Sequence, residues 1–328
     1  MEILLSAIQP TGNIHIGNYL GSITNWIKLQ NQYKSIFSIV DLHALTNSKL
    51  EENLHNNSLK TLATYLASGI DANKSLIFRQ SDVKAHCELF WILNCITQIG
   101  KLNRMTQFKE KTGKNKEKAN LGLYNYPILM AADIMLYKAS KVPVGADQKQ
   151  HIELANEIIQ TFNHKYNNNY FQKIEVIINE NNKRIMSLKD ANNKMSKSDP
   201  SEYSRINIFD DNDQIRSKIM KAKTDNEANL SENLDNRPEI MNLIKIFSAF
   251  TDKNSQIIIN QYNDLGNKKF KTDLAEIIIN KLEPIRNEAL KLLDNKTDLE
   301  NLLIKNSEKA CEIADKNIKE IKQIIGIN

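Results

Sequence analysis

The stretch Ile8-Gln9-Pro10-Thr11-Gly12-Asn13-Ile14-His15-Ile16-Gly17-Asn18-Tyr19-Leu20-Gly21 constrains this chain more than any other. Before it, Glu2-Ile3-Leu4-Leu5-Ser6-Ala7-Ile8 is a short apolar run and reads as a buried strand. After it, Leu20, Ile23 and Ile27 recur at helical spacing, so a helix starts near Gly17 or Asn18. A strand, a Pro/Gly-broken turn and a helix start in succession suit a phosphate. The first-turn amides of a helix have no intrahelical partner, and its dipole favours an anion. Gly17 lets a ligand approach the backbone, and His15 and Asn18 offer side-chain donors. The stretch has no Walker pattern and no GxGxxG. An ordinary strand-to-helix turn with an incidental histidine would carry the same residues.

A second stretch, Lys194-Met195-Ser196-Lys197-Ser198, lies between Asn192-Asn193 and Asp199-Pro200 in a loop-like setting. Two lysines flanking hydroxyls describe either a solvated basic loop or a cationic loop for phosphate.

At 328 residues the chain can bury a full α/β domain and a smaller one. Its formal charge of +5 suits a polyanionic partner without requiring one. No apolar run approaches the ~18–20 residues of a membrane span. The N-terminus lacks the basic-then-apolar plan of a signal peptide. Cys87, Cys95 and Cys311 are an odd set without CxxC spacing, which points to a reducing compartment and against structural zinc. A cytoplasmic protein with the cysteines buried as small apolar residues is expected.

Up to about residue 170 short apolar strands alternate with amphipathic helices. Strands are expected at 35–40, 75–79 and 141–144, and helices at 50–68, 83–99, from Pro127 onward, and at 147–162. Such alternation means parallel strands with helices on both faces, and ligands beyond the carboxyl ends of the strands. The Asn-rich segment 164–182 reads as a surface loop or a weak hairpin. Beyond Ser201 only helices are expected, over 211–223, 238–251, 268–294 and 298–325.

Asp133 sits in Met130-Ala131-Ala132-Asp133-Ile134-Met135-Leu136-Tyr137, and a carboxylate inside an apolar helix is costly unless paired. Met130, Asp133 and Tyr137 share a face. Asp133 reads as an acceptor at the floor of an apolar pocket, suited to an indole N–H or a phenol. Gly145-Ala146-Asp147-Gln148 follows a strand and opens a helix. His43, His86 and His151 look scattered and form no metal-ligand set. Trp26 and Trp91 read as core residues.

Together these segments resemble the class I aminoacyl-tRNA synthetases, and most closely the bacterial tryptophanyl-tRNA synthetases. His15-Ile16-Gly17-Asn18 is similar to the family's "HIGH" element with Asn18 in place of the last histidine, and Lys194–Ser198 to its lysine loop. Val40-Asp41-Leu42-His43-Ala44, Arg104-Met105-Thr106-Gln107-Phe108-Lys109-Glu110-Lys111 and Arg184-Ile185-Met186-Ser187 match in family order. The resemblance implies a Rossmann-like catalytic domain over 1–183, a lysine-loop linker over 184–205, and a helical tRNA-binding domain over 206–290. A last helix over 291–328 would pack back on the catalytic domain. It implies ATP contacts from Gln9, Pro10, Thr11, His15, Gly17, Asn18, Gly145, Ala146, Asp147, Ile185, Lys194, Met195, Ser196, Lys197 and Ser198. Asp133 would accept the indole N–H of L-tryptophan, with Met130, Gln148, Val142, His43, Leu5 and Ala7 around it. Leu5 stands where relatives can carry an aromatic and Ala7 where they can carry glycine. Lys111, Lys194 and Lys197 are the expected catalytic cations, with Mg²⁺ held mainly by the ATP phosphates. A homodimer and tRNA(Trp) as partner are implied too. The rivals are a tyrosyl-tRNA synthetase and, more remotely, a small-molecule nucleotidylyltransferase.

Overall fold

Among the described residues, five strands form one wholly parallel sheet in the order β3-β2-β1-β4-β5. They are β1 (Ile3–Ile8), β2 (Lys34–Ile39), β3 (Leu76–Arg79), β4 (Lys141–Pro143) and β5 (Glu175–Ile177). The computed structural model describes residues 1–47, 53–106, 119–145, 148–177, 184–225, 229–230 and 234–327. The strands run β1 to β3 outward on one side, then cross so that β4 lies on the other side of β1. The crevice at the carboxyl ends of β1 and β4 is therefore the switch point where such sheets bind ligands.

Helix α1 covers 16–29, with a π-helical turn at Tyr19–Ile23. It is followed by α2 (Asp41–Ala44), α3 (Leu54–Ala67), α4 (Ala85–Asn94), α5 (Ile99–Asn103), α6 (Leu121–Leu136) and α7 (Lys149–Lys165). Beyond 205 come α8 (Asn212–Met220), α9 (Pro238–Thr251), α10 (Ser255–Tyr262), α11 (Gly266–Asp294) and α12 (Lys296–Ile324). Among the described residues no helix is long and apolar enough to cross a membrane.

Two apolar clusters cover the two faces of the sheet. One joins β1, α1 and α3 to the segment 185–208 and to helices α8 to α11, with Trp26 stacked on Phe37 at 4.8 Å in its depth. The other packs β4, α4, α6 and α7 together with Ala310, Ala314, Ile318 and Ile321 of α12. The last helix thus lies against β3 and α4, and Asn317 Nδ2 donates to the Leu136 carbonyl.

Four expectations are corrected here. Pro127 does not open its helix but lies within α6, which starts at Leu121 behind an Asn120 cap. Packing of an almost wholly apolar helix outweighs the ~3 kcal/mol an interior proline costs. The segment 164–182 is not a hairpin: it contains β5, which pairs parallel to β4. Trp91 is 69% exposed, not core. Cys87 and Cys95 are exposed and Cys311 is half-buried, so none is a fully buried apolar filler.

Candidate active site

At the carboxyl end of β1 the turn reaches Gly12 at φ +59, a left-handed conformation that glycine adopts without strain. His15 then caps α1: the Asn18 amide donates to His15 Nδ1 and the His15 amide donates to Asn18 Oδ1, each at 3.3 Å. This reciprocal cap satisfies two backbone donors. The Ile16 amide is also used, donating to the Ile206 carbonyl at 2.9 Å. The expected row of unpaired first-turn amides therefore shrinks to Gly17 N–H among the described residues. Because His15 accepts at Nδ1, the neutral ring carries its proton on Nε2 and offers a donor there. Gly17 is required on steric grounds, since a Cβ there would lie 2.9 Å from the capping imidazole.

The lysine loop sits directly on this turn. Residues 185–187 and 193–195 pair as a short antiparallel ladder, with Met195 N donating to Ile185 O and Ser187 N to Asn193 O. Met195 and Ile185 are buried in the apolar cluster and anchor the loop. Lys197 Nζ donates to the Gln9 carbonyl at 3.0 Å. Ser196 and Ser198 hydroxyls lie 2.9 Å apart, and Lys194 is exposed. Gln9, Pro10, Thr11, His15, Gly17, Asn18, Ile185 and Lys194–Ser198 are thus gathered around one end of β1. Gly145 is half-buried just beyond β4. Ala146, Asp147 and Lys111 lie outside the described residues.

His15 has an unusual electrostatic setting. Burial, reinforced by Lys197, Arg205 and Lys194, pushes its pKa from 6.5 down to about 3. The unfolded chain therefore takes up this proton first. Stability due to neutral His15 is complete above pH 6.5 and is lost as pH falls toward about 3. Replacing His15 with asparagine, which can still cap, should flatten that acid loss by on the order of 1 kcal/mol per pH unit. Parallel urea titrations down the pH scale check it, and superimposable pH dependences would contradict it.

A second group forms around Asp133 on α6. Gln80 Nε2 donates to Oδ1 at 2.7 Å, His86 Nδ1 lies 2.6 Å from the same oxygen, and His43 Nε2 lies 2.8 Å from Oδ2. Local chain geometry builds this cluster. Asp41, opening α2 after β2, accepts from the Ser81 amide at 2.9 Å and from its hydroxyl. That strap fixes the turn Gln80–Asp82 after β3, and so Gln80, beside the carboxylate. Burial works against the Asp133 anion, but the His86 and His43 imidazoles hold its pKa down to about 2. The pocket floor expected to be apolar is polar on this side, and His43 and His86 are not scattered but meet on one carboxylate. Leu5 and Val142 are buried in the cluster that packs α6, with Met130 against it. Ala7 and Gln148 are half-buried. Strand β1 carries Leu5 into the cluster that packs α6, and Gln9 follows its last residue, Ile8.

The family model "tRNA synthetases class I (W and Y)" matches residues 2–283. The chain belongs to this family. It is 50% identical to a tryptophan–tRNA ligase of Rickettsia conorii over 99% of this chain and 98% of the relative. The Agrobacterium fabrum tryptophan–tRNA ligase is 43% identical at the same coverages. Among solved structures, tryptophanyl-tRNA synthetase from Mycoplasma pneumoniae superposes with a TM-score of 0.88 at 31% identity, covering 100% of this chain and 98% of its own. The Campylobacter jejuni tryptophanyl-tRNA synthetase complexed with ADP and tryptophane gives 0.84 at 34%, covering both chains fully. A tyrosyl-tRNA synthetase from Aeropyrum pernix, 17% identical, shares the fold. The sheet is the Rossmann-like catalytic layer of this class I family.

Sequence reasoning missed three residues of these two side-chain groups. Tyr126, whose hydroxyl lies 2.7 Å from His151 Nε2 and whose ring faces His43, was legible as the turn before Met130 on the Asp133 face. Gln80 and the pairing role of His86 come from β3 and α4, and no local spacing announces them. Among the described residues no group of three or more His, Cys, Asp or Glu is placed to hold a metal ion.

Proposed function

We infer that this chain is a tryptophan–tRNA ligase: it joins L-tryptophan to ATP as the adenylate, releasing pyrophosphate, and then charges tRNA(Trp). The observation that carries the substrate choice is the Asp133 carboxylate. An ionised carboxylate has about four acceptor positions, and the three donors of Gln80, His86 and His43 leave one on Oδ2. An acceptor-only group in a buried setting suits the indole N–H, which can only donate. Met130, Val142, Gln148, His43, Leu5 and Ala7 are the proposed surroundings of the ring.

The first step needs no general base, because the tryptophan carboxylate is already ionised when it attacks the α-phosphorus. The P–O bond to pyrophosphate breaks as the acyl–phosphate bond forms. The site must align these groups and meet the charge that grows on the phosphates. We assign that charge to Lys194, Lys197 and Lys111, with Gly17 N–H and His15 Nε2–H as neutral donors from the turn. Gln9, Pro10, Thr11, Asn18, Gly145, Ala146, Asp147, Ile185, Met195, Ser196 and Ser198 would surround the nucleotide. A Mg²⁺ bound by the phosphates would supply further neutralisation. In the second step a terminal ribose hydroxyl of the tRNA attacks the adenylate carbonyl and AMP leaves. ATP–pyrophosphate exchange tests the reading: it should depend on tryptophan, and exchange driven by tyrosine instead would overturn it.

We further assign residues 1–183 to catalysis, 184–205 to the lysine-loop linker, 206–290 to tRNA binding and 291–328 to a closing helix. tRNA charging and the absence of a membrane-crossing helix among the described residues support a cytoplasmic setting. A homodimer is supported by an apolar surface on α4, α5 and the start of α6. There Trp91, Ile99 and Leu121 are 69%, 70% and 78% exposed. Helices α4 and α5 each pack on α6. Putting a charge into a dimer core is costly. Trp91→Glu should therefore weaken self-association at least ~10-fold, read by analytical ultracentrifugation. An unchanged dimer in the variant would move the interface elsewhere.

A further inference from the structure

The Tyr137 hydroxyl stands behind the Asp133 cluster, 3.0 Å from His86 Nε2. It is buried and has no second hydrogen-bond partner among the described residues. Burial first, and then Asp133, Cys311 and Asp315, push the phenol pKa far up, so the proton stays on oxygen. A buried O–H without an acceptor is costly, so the hydroxyl donates and Nε2 accepts. A neutral imidazole that accepts at Nε2 carries its proton on Nδ1. Nδ1 is the atom 2.6 Å from Asp133 Oδ1.

We propose that Tyr137 and His86 are a positioning pair: the hydroxyl fixes the His86 tautomer, and His86 fixes Asp133 so that one acceptor position on Oδ2 is kept for the substrate's indole N–H. This rests on the reading of Asp133 as the indole acceptor. With the other tautomer, the bare Nδ1 would face Oδ1, and the carboxyl would have to turn or take up a proton. A protonated or turned carboxyl no longer presents an anionic acceptor there, so selection for N–H would weaken. The pair is thus a specificity device as well as an anchor. A site built to accept a hydrogen bond rejects an isostere that lacks the donor.

Other ionisable groups face this cluster from each packed element. They are Asp41 and His43 on α2, Cys87 on α4, and Cys311 and Asp315 on α12. None of them bonds to Oδ1, where His86 and Gln80 donate.

The test is steady-state exchange kinetics on the full chain for Tyr137→Phe, His86→Asn, the double variant, His86→Leu and Asp133→Ala. Tyr137→Phe keeps the ring and removes only the hydroxyl. It should raise KM for tryptophan by ~5–10-fold while leaving KM for ATP unchanged, on the scale of one buried hydrogen bond. It should also narrow the preference for tryptophan over its benzothiophene isostere. Asparagine at 86 retains an N–H near Nδ1 but has no ring nitrogen for Tyr137. In that background losing the hydroxyl should add less than ~2-fold.

An equal penalty in both backgrounds, or no change in tryptophan KM, would overturn the pair. In His86→Leu the acid limb of kcat/KM for tryptophan should move up, because burial then acts on Asp133 with one imidazole fewer to oppose it. A fixed acid limb would count against the proposal. If Asp133→Ala leaves tryptophan KM untouched, the indole-acceptor reading itself fails. If Asp133→Ala collapses activity while Tyr137→Phe is silent, only the pair fails.

Discussion

Lys197→Ala is expected to slow adenylate formation by ~10²-fold or more, the loss of about 2.7 kcal/mol of transition-state stabilisation. Lys197 reaches the Gln9 carbonyl at the end of β1, in the crevice where the nucleotide is proposed to bind. A carbonyl oxygen is a modest partner for an ammonium group, and phosphate oxygens carrying growing negative charge are better ones. The gain is therefore concentrated in the transition state, so kcat should fall more than KM for ATP rises. Fold stability should barely change, because Lys197 is only half-buried and the loop is anchored by Met195 and Ile185. Rapid-quench measurement of a single turnover separates this step from tRNA charging. A near-normal rate of adenylate formation in the variant would remove Lys197 from the chemistry.

Asp133→Ala carries the second large effect. It removes the one acceptor shared by Gln80, His43 and His86, all buried. Leaving several buried donors unpaired costs on the order of 3 kcal/mol or more, so the variant should melt several degrees lower. Tryptophan-dependent exchange should collapse by at least ~10²-fold at fixed substrate, with KM rising most. Asp133→Asn separates the causes: it keeps the shape and one acceptor oxygen but loses the charge. It should fold better than the alanine variant and still bind tryptophan weakly. If Asp133→Asn exchanged as well as the parent, the charge of the acceptor would have no role in selecting tryptophan.

The Asp133 linkage has a definite sign. Its pKa falls from 3.8 to about 2 in the folded chain, so its stabilisation is present above pH 3.8 and is lost below it. The His15 effect lies higher, between pH 6.5 and about 3. The two losses are therefore separable in one pH series.

The sequence by itself determined the parallel α/β layer, the strand–turn–helix at 8–21, the loop at 194–198, the need of the Asp133 carboxylate for partners and the helical second half. Each follows from local rules: strand and helix periods, a proline- and glycine-broken turn, and the cost of a carboxylate in an apolar helix. Only the tertiary structure decided what these pieces touch. It gave the Ile16 amide at the helix start to the Ile206 carbonyl, beside the local His15–Asn18 cap. It placed Trp91 on the surface and Pro127 inside a helix, because burial depends on which elements meet rather than on residue type. It brought His43 from α2, Gln80 from the turn after β3 and His86 from α4 onto Asp133 of α6. Hydrogen bonds between residues so far apart in the chain leave no periodic trace in it, because their partners are chosen by the order of strands in the sheet.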